Sequence, residues 1–332
     1  MMLTLIPQRL VHGLAALAVA CGMVAAAPER TFADSYPSQM VTLVVPYSAG
    51  TGIDIAARML ADKMQQRLKQ PVIVENRVGA AGNIGSAAVA KANPDGYTLL
   101  LVANTLAMSP SLFDLTYDPV KNFAPIGLWL KGAMVLVVSK DTKASNVSEL
   151  VALAKANPGG MNYASPGVST PQHLAMELFR SATGINMVHI PYKGAGDALT
   201  GLIRNEVSAM FMPVQSALPN LADGRIRAIG ISSPVSIPQV ANLKTIDEQI
   251  SDKDFNVDLW YGMFAPAGTP SSVIAVMQKE MREISALPDV KTRLQALALT
   301  PDITDGDQLS HLLKTDISRW KHIIRQAGIS PK

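Results

Sequence analysis

Two spacings of apolar residues alternate along the chain from about residue 40 onward. VTLVV (41–45) is an unbroken apolar run, as expected of a buried strand. Behind it Ile53, Ala56, Ala57, Leu60, Ala61, Met64 and Leu68 recur at three and four. That spacing predicts a helix with one face on a sheet. VIVE (72–75) and YTLLLV (97–102) predict two more strands, with a helix over 83–91 between them. Asn93-Pro94-Asp95-Gly96 is a strong turn signal that stops that helix.

An irregular segment with three prolines covers 103–125. IGLWLKGAMVLVVS (126–139) then predicts a strand long enough to leave one domain and enter another. The pattern restarts behind it: helix 149–157, strand 162–165, helix 170–182, strand 187–192, helix 197–204, and strands 209–212 and 226–232. VDLWYGMFAP (257–266) predicts a second crossing strand. Helices over 271–285, 289–296 and 307–327 complete the chain. Strands alternating with amphipathic helices predict an α/β fold of two domains joined by two crossings.

One similarity is internal. TLVVPYSAGTGIDIAARML and MNYASPGVSTPQHLAMELF both run strand, small-residue loop, helix. Such loops lie beyond the carboxyl ends of strands, where open α/β sheets bind ligands. A cleft with helix N-termini on both walls is therefore expected.

The N-terminus has a different character. Arg9 and His12 precede an Ala-rich, uncharged stretch, 14–27, too short to span a bilayer. It reads as the apolar region of an export signal covering 1–33. Ala25-Ala26-Ala27 and Thr31-Phe32-Ala33 are both possible cleavage sites, the second being favoured. Cys21, the sole cysteine, sits in AVAC, similar to a lipoprotein box without the usual leading Leu; lipid anchoring there is the lesser expectation. The mature chain therefore holds no disulfide, which fits an exported protein of a bacterial envelope. With 29 Lys+Arg against 26 Asp+Glu the charge is close to balanced. Nucleic acid is not an expected partner.

The loops exclude several chemistries. Gly50 and Gly52 lead to no Lys-Ser/Thr pair, so PYSAGTGID (46–54) is no triphosphate loop. Ile55 stands where a dinucleotide loop needs its third glycine. Gly79–Gly85 is expected to be a tight turn. His173, His189, His311 and His322 are isolated in sequence, and no nucleophile elbow or metal spacing is present. No enzymatic activity, cofactor or metal is expected. Asp54 and Asp197 fall where helices begin, suited to capping and dipole compensation. What remains is capture of a small anion by helix N-termini, which present unpaired N–H groups.

The motifs together resemble a known family. PYSAGTGID (46–54), VENRVGAAGNIG (74–85), NPDGYTLL (93–100), YDPVKNFAPI (117–126), NYASPGVSTPQHLA (162–175), HIPYKG (189–194) and WYGMFAPAGTP (260–270) occur in order. They resemble Bug-type (TctC-like) extracytoplasmic solute-binding receptors of tripartite tricarboxylate transporters. The resemblance covers 36–328. It implies a type II periplasmic binding fold, with lobes of 36–128 plus 258–332 and of 129–257. It further implies a periplasmic monomer that closes on a small carboxylate, a di- or tricarboxylate or an aromatic one, and delivers it to membrane permease subunits. A sensor of similar fold and a secreted α/β enzyme are the competing classes.

Carried over by residue, Tyr47, Ser48, Ala49, Gly50, Thr51, Gly52 and Asp54, with Asn104 and Thr105, would line one wall. Ser165, Pro166, Gly167, Ser169, Thr170 and His173, with Tyr192 and Met212, would line the other. His173 either meets the ligand or hydrogen-bonds its own loop. Trp260 and Tyr261 are expected in hinge packing and Lys193 in solvent. The sequence departs from the family at Ser48, Thr51 and Ile53, where proline, glycine and threonine are usual. It also has Met212 where an aspartate is common. Met212 either packs in the core or marks a ligand with an apolar or aromatic body and no ammonium group.

Overall fold

The computed structural model describes residues 36–234, 237–250, 255–326 and 328–329. The expected signal, its cleavage sites and Cys21 lie outside the described residues, as does position 327, the expected end of the last helix. In the unit that starts at Pro37, β1 (Val41–Val45) leads to α1 (Gly52–Leu68). β2 (Val72–Asn76), α2 (Asn83–Ala90), β3 (Thr98–Ala103) and a one-turn α3 (Thr105–Met108) follow. β4 (Phe123–Ser139) is the longest strand. After it come α4 (Val147–Ala156), β5 (Met161–Ser165), α5 (Pro171–Thr183), β6 (Met187–Pro191), α6 (Ala195–Ile203) and β7 (Ala209–Pro213). The chain continues through α7 (Val214–Ala222), β8 (Ile226–Ile231), α8 (Ile246–Gln249), β9 (Asp258–Pro266), α9 (Ser271–Ser285), α10 (Pro288–Ala296), β10 (Thr300–Pro301) and α11 (Gly306–Gln326).

The expected strands and long helices are all present. α7 is the substantial element that sequence reasoning missed. Pro213 caps it and Pro219 lies inside it, and both read as breaks.

The strands run in the order β2-β1-β3-β9-β4-β7-β5-β6, with β8 and β10 also on β4. Two parallel trios repeat the same arrangement. β1 is central between β2 and β3, and β5 between β6 and β7. The internal sequence similarity is therefore a similarity of position, because each copy starts on a central strand. The two trios belong to the two lobes of an α/β fold. Burial explains the apolar runs of β1 and β3, while the outer strands β2 and β6 are mostly half-buried or exposed and carry polar residues.

β4 joins the lobes. Its first half, Phe123–Ala133, pairs with β9, and β10 adds to the other edge at Leu130 and Lys131. Its second half pairs with β7 from Met134 and with β8 from Val135. β9, expected as a second crossing, pairs only with β3 and β4 among the described strands. The return happens just before it, where Val257 N–H donates to Ser232 O.

Alternation along β9 sorts its side chains. Trp260 faces α11, where its Nε1–H donates to Asp316 Oδ2 at 2.6 Å in a buried setting. Burial raises the Asp316 carboxyl above its ordinary range. In the second lobe three rings stack: Tyr163 on His189 at 4.8 Å between centroids, and His189 on His173 at 4.0 Å. These histidines, isolated in sequence, are thus neighbours in space. Tyr163 OH bonds Glu177 Oε1, which Arg180 also holds at 2.6 Å.

Burial, with His173 beside it, pushes His189 down to about 4. The unfolded chain takes up that proton near pH 6.5. Stability is therefore intact above about pH 6.5 and declines as pH falls toward 4. We expect a lower Tm at pH 5 than at pH 7, and a smaller drop in His189→Gln. An equal drop in both proteins would contradict the assignment. Asp316→Leu leaves the Trp260 indole N–H without an acceptor and should cost about 1–3 kcal/mol. Asp316→Asn keeps the acceptor and should cost less; urea melts of the two variants make the comparison.

Candidate functional site

The loops after β1 and β5 face a cavity of about 790 Å³ between the trios. That volume lies within the range of small-molecule sites. The first loop is shaped from below. Asp54, 2% exposed, accepts Gly50 N–H at 2.9 Å and Arg58 Nε–H at 3.1 Å on Oδ2. Its Oδ1 accepts the Asn76 amide at 2.8 Å, and that amide also holds Tyr47 O at 3.0 Å. Burial alone would raise the Asp54 carboxyl. Arg58, Asn76 and Gly50 N–H outweigh it and hold the group below its ordinary range. Asp54 therefore braces the loop and compensates the α1 dipole, and it is not among the cavity-lining residues.

Thr51 caps α1 in an extended conformation with no side-chain cap bond, and its hydroxyl donates to Ser48 O at 2.9 Å. The first-turn N–H groups of α1 are thereby left to the cavity. Gly79–Gly85 is more than a turn. Val78, Gly79, Ala81 and Gly82 line the cavity beside the first loop. A Cβ at Gly85 would meet Pro46 Cβ at 2.8 Å and Arg77 O at 2.9 Å, so the absence of a side chain lets the two loops pack together.

Tyr47, Ser48, Gly50, Thr51, Gly52, Asn104 and Thr105 line the cavity. The Tyr47 hydroxyl accepts Ala103 N–H at 2.9 Å and pairs with Thr105 Oγ1 at 2.8 Å. Burial pushes its pKa up to about 12, so it is a neutral donor at physiological pH. Ala49 is not among the lining residues.

On the opposite wall Pro166, Thr170 and Met212 line the cavity, while Ser165, Gly167, Ser169, His173 and Tyr192 do not. The reason is visible in the bonds. Ser165 Oγ donates to Gly167 O at 2.9 Å, so His189 Nε2–H donates to it at 2.7 Å. Ser169 N–H donates to His173 Nδ1 at 3.2 Å. His173 is 5% exposed and holds its own loop through that bond. Tyr192 lies over α6, where a Cβ at Gly201 would meet its hydroxyl, and that hydroxyl points to Glu206. Met212 belongs to the second-lobe apolar cluster and also lines the cavity.

Sequence reasoning missed Leu259 and Tyr261, Met210, and Gln215 and Ser216. Two-residue alternation in LWY and MFM carries the signal for the first three. The last two sit at the start of the missed α7. No Asp, Glu, Lys, Arg or His lines the cavity among the described residues. Residues in the first turns of α1, α5, α6 and α7 do: Gly52, Pro171, Ala195 and Gln215 with Ser216. Among the described residues no cluster of three metal-ligating side chains occurs, and no helix is long and apolar enough to cross a membrane.

The family model described as tripartite tricarboxylate transporter family receptor matches residues 56–329. A Pseudomonas sp. (strain P51) protein, described as a UPF0065 protein in the tcbD-tcbE intergenic region, is 34% identical over 307 residues, 92% of this chain and 91% of that one. The periplasmic binding protein BugD is similar in structure, with TM-score 0.77, 32% identity, and coverage of 90% of this chain and 100% of its own. Rpa4515 of R. palustris, solved with adipate, gives TM-score 0.80 at 26% identity over 90% of this chain and 100% of that one. MatC of Rhodopseudomonas palustris, solved with malate, gives 0.75 at 29% over 87% and 100%. Motif order, fold and these matches agree: the chain belongs to the receptor family of the tripartite tricarboxylate transporters.

Proposed function

We propose that this protein is a periplasmic receptor that captures a small carboxylate in the cavity and delivers it to permease subunits of a tripartite tricarboxylate transporter. The observation that carries the reading is a cavity free of charged side chains onto which four helix N-termini open. Each such end carries about half a positive charge, so together they favour an anion without any side-chain cation. Two relatives, solved with adipate and malate, support a carboxylate. The ligand-lining residues are Tyr47, Ser48, Gly50, Thr51, Gly52, Asn104, Thr105, Pro166, Thr170 and Met212, with Asp54, Ser165 and His173 as braces. The lobes of 36–128 plus 258–332 and of 129–257 close on the ligand, and the receptor acts as a monomer without cofactor or turnover.

The walls also predict selectivity. An ammonium group entering this cavity finds no carboxylate partner on the lining, and an unpaired buried charge is costly. Malate should therefore bind more tightly than aspartate, its amino counterpart, by on the order of 100-fold.

The test is a thermal-shift and calorimetry panel of mono-, di- and tricarboxylates with aspartate and glutamate. A carboxylate at about 100 times its Kd should add roughly 2.7 kcal/mol of apparent stability. A panel in which no carboxylate raises Tm would sink the receptor reading. Tight aspartate binding beside weak malate binding would sink the selectivity.

A further inference from the structure

Gln215 lies outside every motif singled out in the sequence. It is the second residue of α7 and lines the cavity from the second lobe. Its side chain reaches the first-lobe wall. Nε2 lies 3.0 Å from where a Cβ would stand at Gly52, with Cγ and Cδ at 3.3 and 3.4 Å. Gly52 is the first residue of α1, where the free N–H groups of that helix gather. Its φ lies outside the left-handed region, so the backbone does not demand glycine there. What a side chain at 52 would disturb is the Gln215 amide.

That amide is incompletely used. Gln215 Oε1 is buried and has no hydrogen-bond partner among the described residues. The unmet Oε1 calls for a donor, which a ligand hydroxyl can supply, whereas a carboxylate can meet only the N–H₂ end of the amide. Its N–H₂ end stands at the anion-attracting terminus of α1, where it supplies a donor and brings no charge.

We propose that Gln215 is a specificity-determining residue of the carboxylate site. Its amide N–H₂ donates to the ligand carboxylate from the second lobe while the first turn of α1 donates from the first. The bare Cα of Gly52 makes room for it. This rests on the carboxylate reading above. Because the two donors belong to different lobes, the same contact ties ligand capture to their approach. A neutral amide in this place suits carboxylates whose neighbouring substituents are uncharged.

The experiment is calorimetric titration of the full chain, the probe being whichever of malate, adipate and benzoate the wild type binds most tightly. Gln215→Leu keeps the bulk and removes the donor, and should weaken binding roughly 10- to 100-fold. Gly52→Ala should weaken binding in the wild-type background while leaving Tm at or above that of the wild type, since alanine is the better helix former. In the Gln215→Ala background, Gly52→Ala should cost nothing further, because the displaced group is gone. Unchanged affinity in Gln215→Leu, or additive losses from the two sites, would overturn the proposal and leave the carboxylate reading standing. If the wild type binds none of the three probes, both fall together.

Discussion

A strand buried along both edges must find a hydrogen-bond partner for every backbone group, and β4 does so with different partners in its two halves. Phe123–Ala133 is satisfied by β9 and β10, and the remainder by β7 and β8. An unpaired buried peptide group costs about as much as a lost hydrogen bond. The two lobes are consequently tied to one another through a strand neither can release. Register shifts at Pro125/Gly127, Leu128/Leu130 and Leu136/Val137 let the strand bend between them. The position of the cavity follows, because β1 and β5 end on its two sides.

The two loops on those sides are held by opposite means. The first rests on an ionic brace, Asp54 with Arg58 and Asn76. The second rests on neutral rings, His189 under Ser165 and His173 under Ser169. Both arrangements place the polar machinery behind the loop and leave the lining uncharged. Among the described residues, the first turns of α1, α5, α6 and α7 therefore meet the cavity without a charged side chain between them. The lining that remains carries hydroxyl and amide groups, among them Tyr47, Ser48, Thr105 and Gln215.

Much of the fold was legible in the sequence because its signals are local. VTLVV and the 3–4 spacing behind it set β1 and α1, and the same pattern repeats at β5 and α5. α7 was not legible, because Pro213 and Pro219 suggest a break and only packing against β7 and β8 overrides them. The first-lobe half of the site, Tyr47–Gly52 with Asn104 and Thr105, could be taken from motifs. Gln215 could not, since it sits on the helix that two prolines conceal, and Leu259 and Tyr261 carry only the signal of strand alternation.

The sequence by itself determined the α/β alternation and the two loop-to-helix starts, for these depend on neighbours a few residues apart. Only the tertiary structure decided which loop residues line the cavity and which stand behind them. Asp54 and His173 look like site residues in the chain, yet hydrogen bonds to Asn76, Arg58 and Ser169 turn them inward. Whether a polar side chain meets solvent, ligand or brace depends on what packs against it, and those partners arrive from 4 to 22 residues away at Asp54, and from 24 residues away at Ser165.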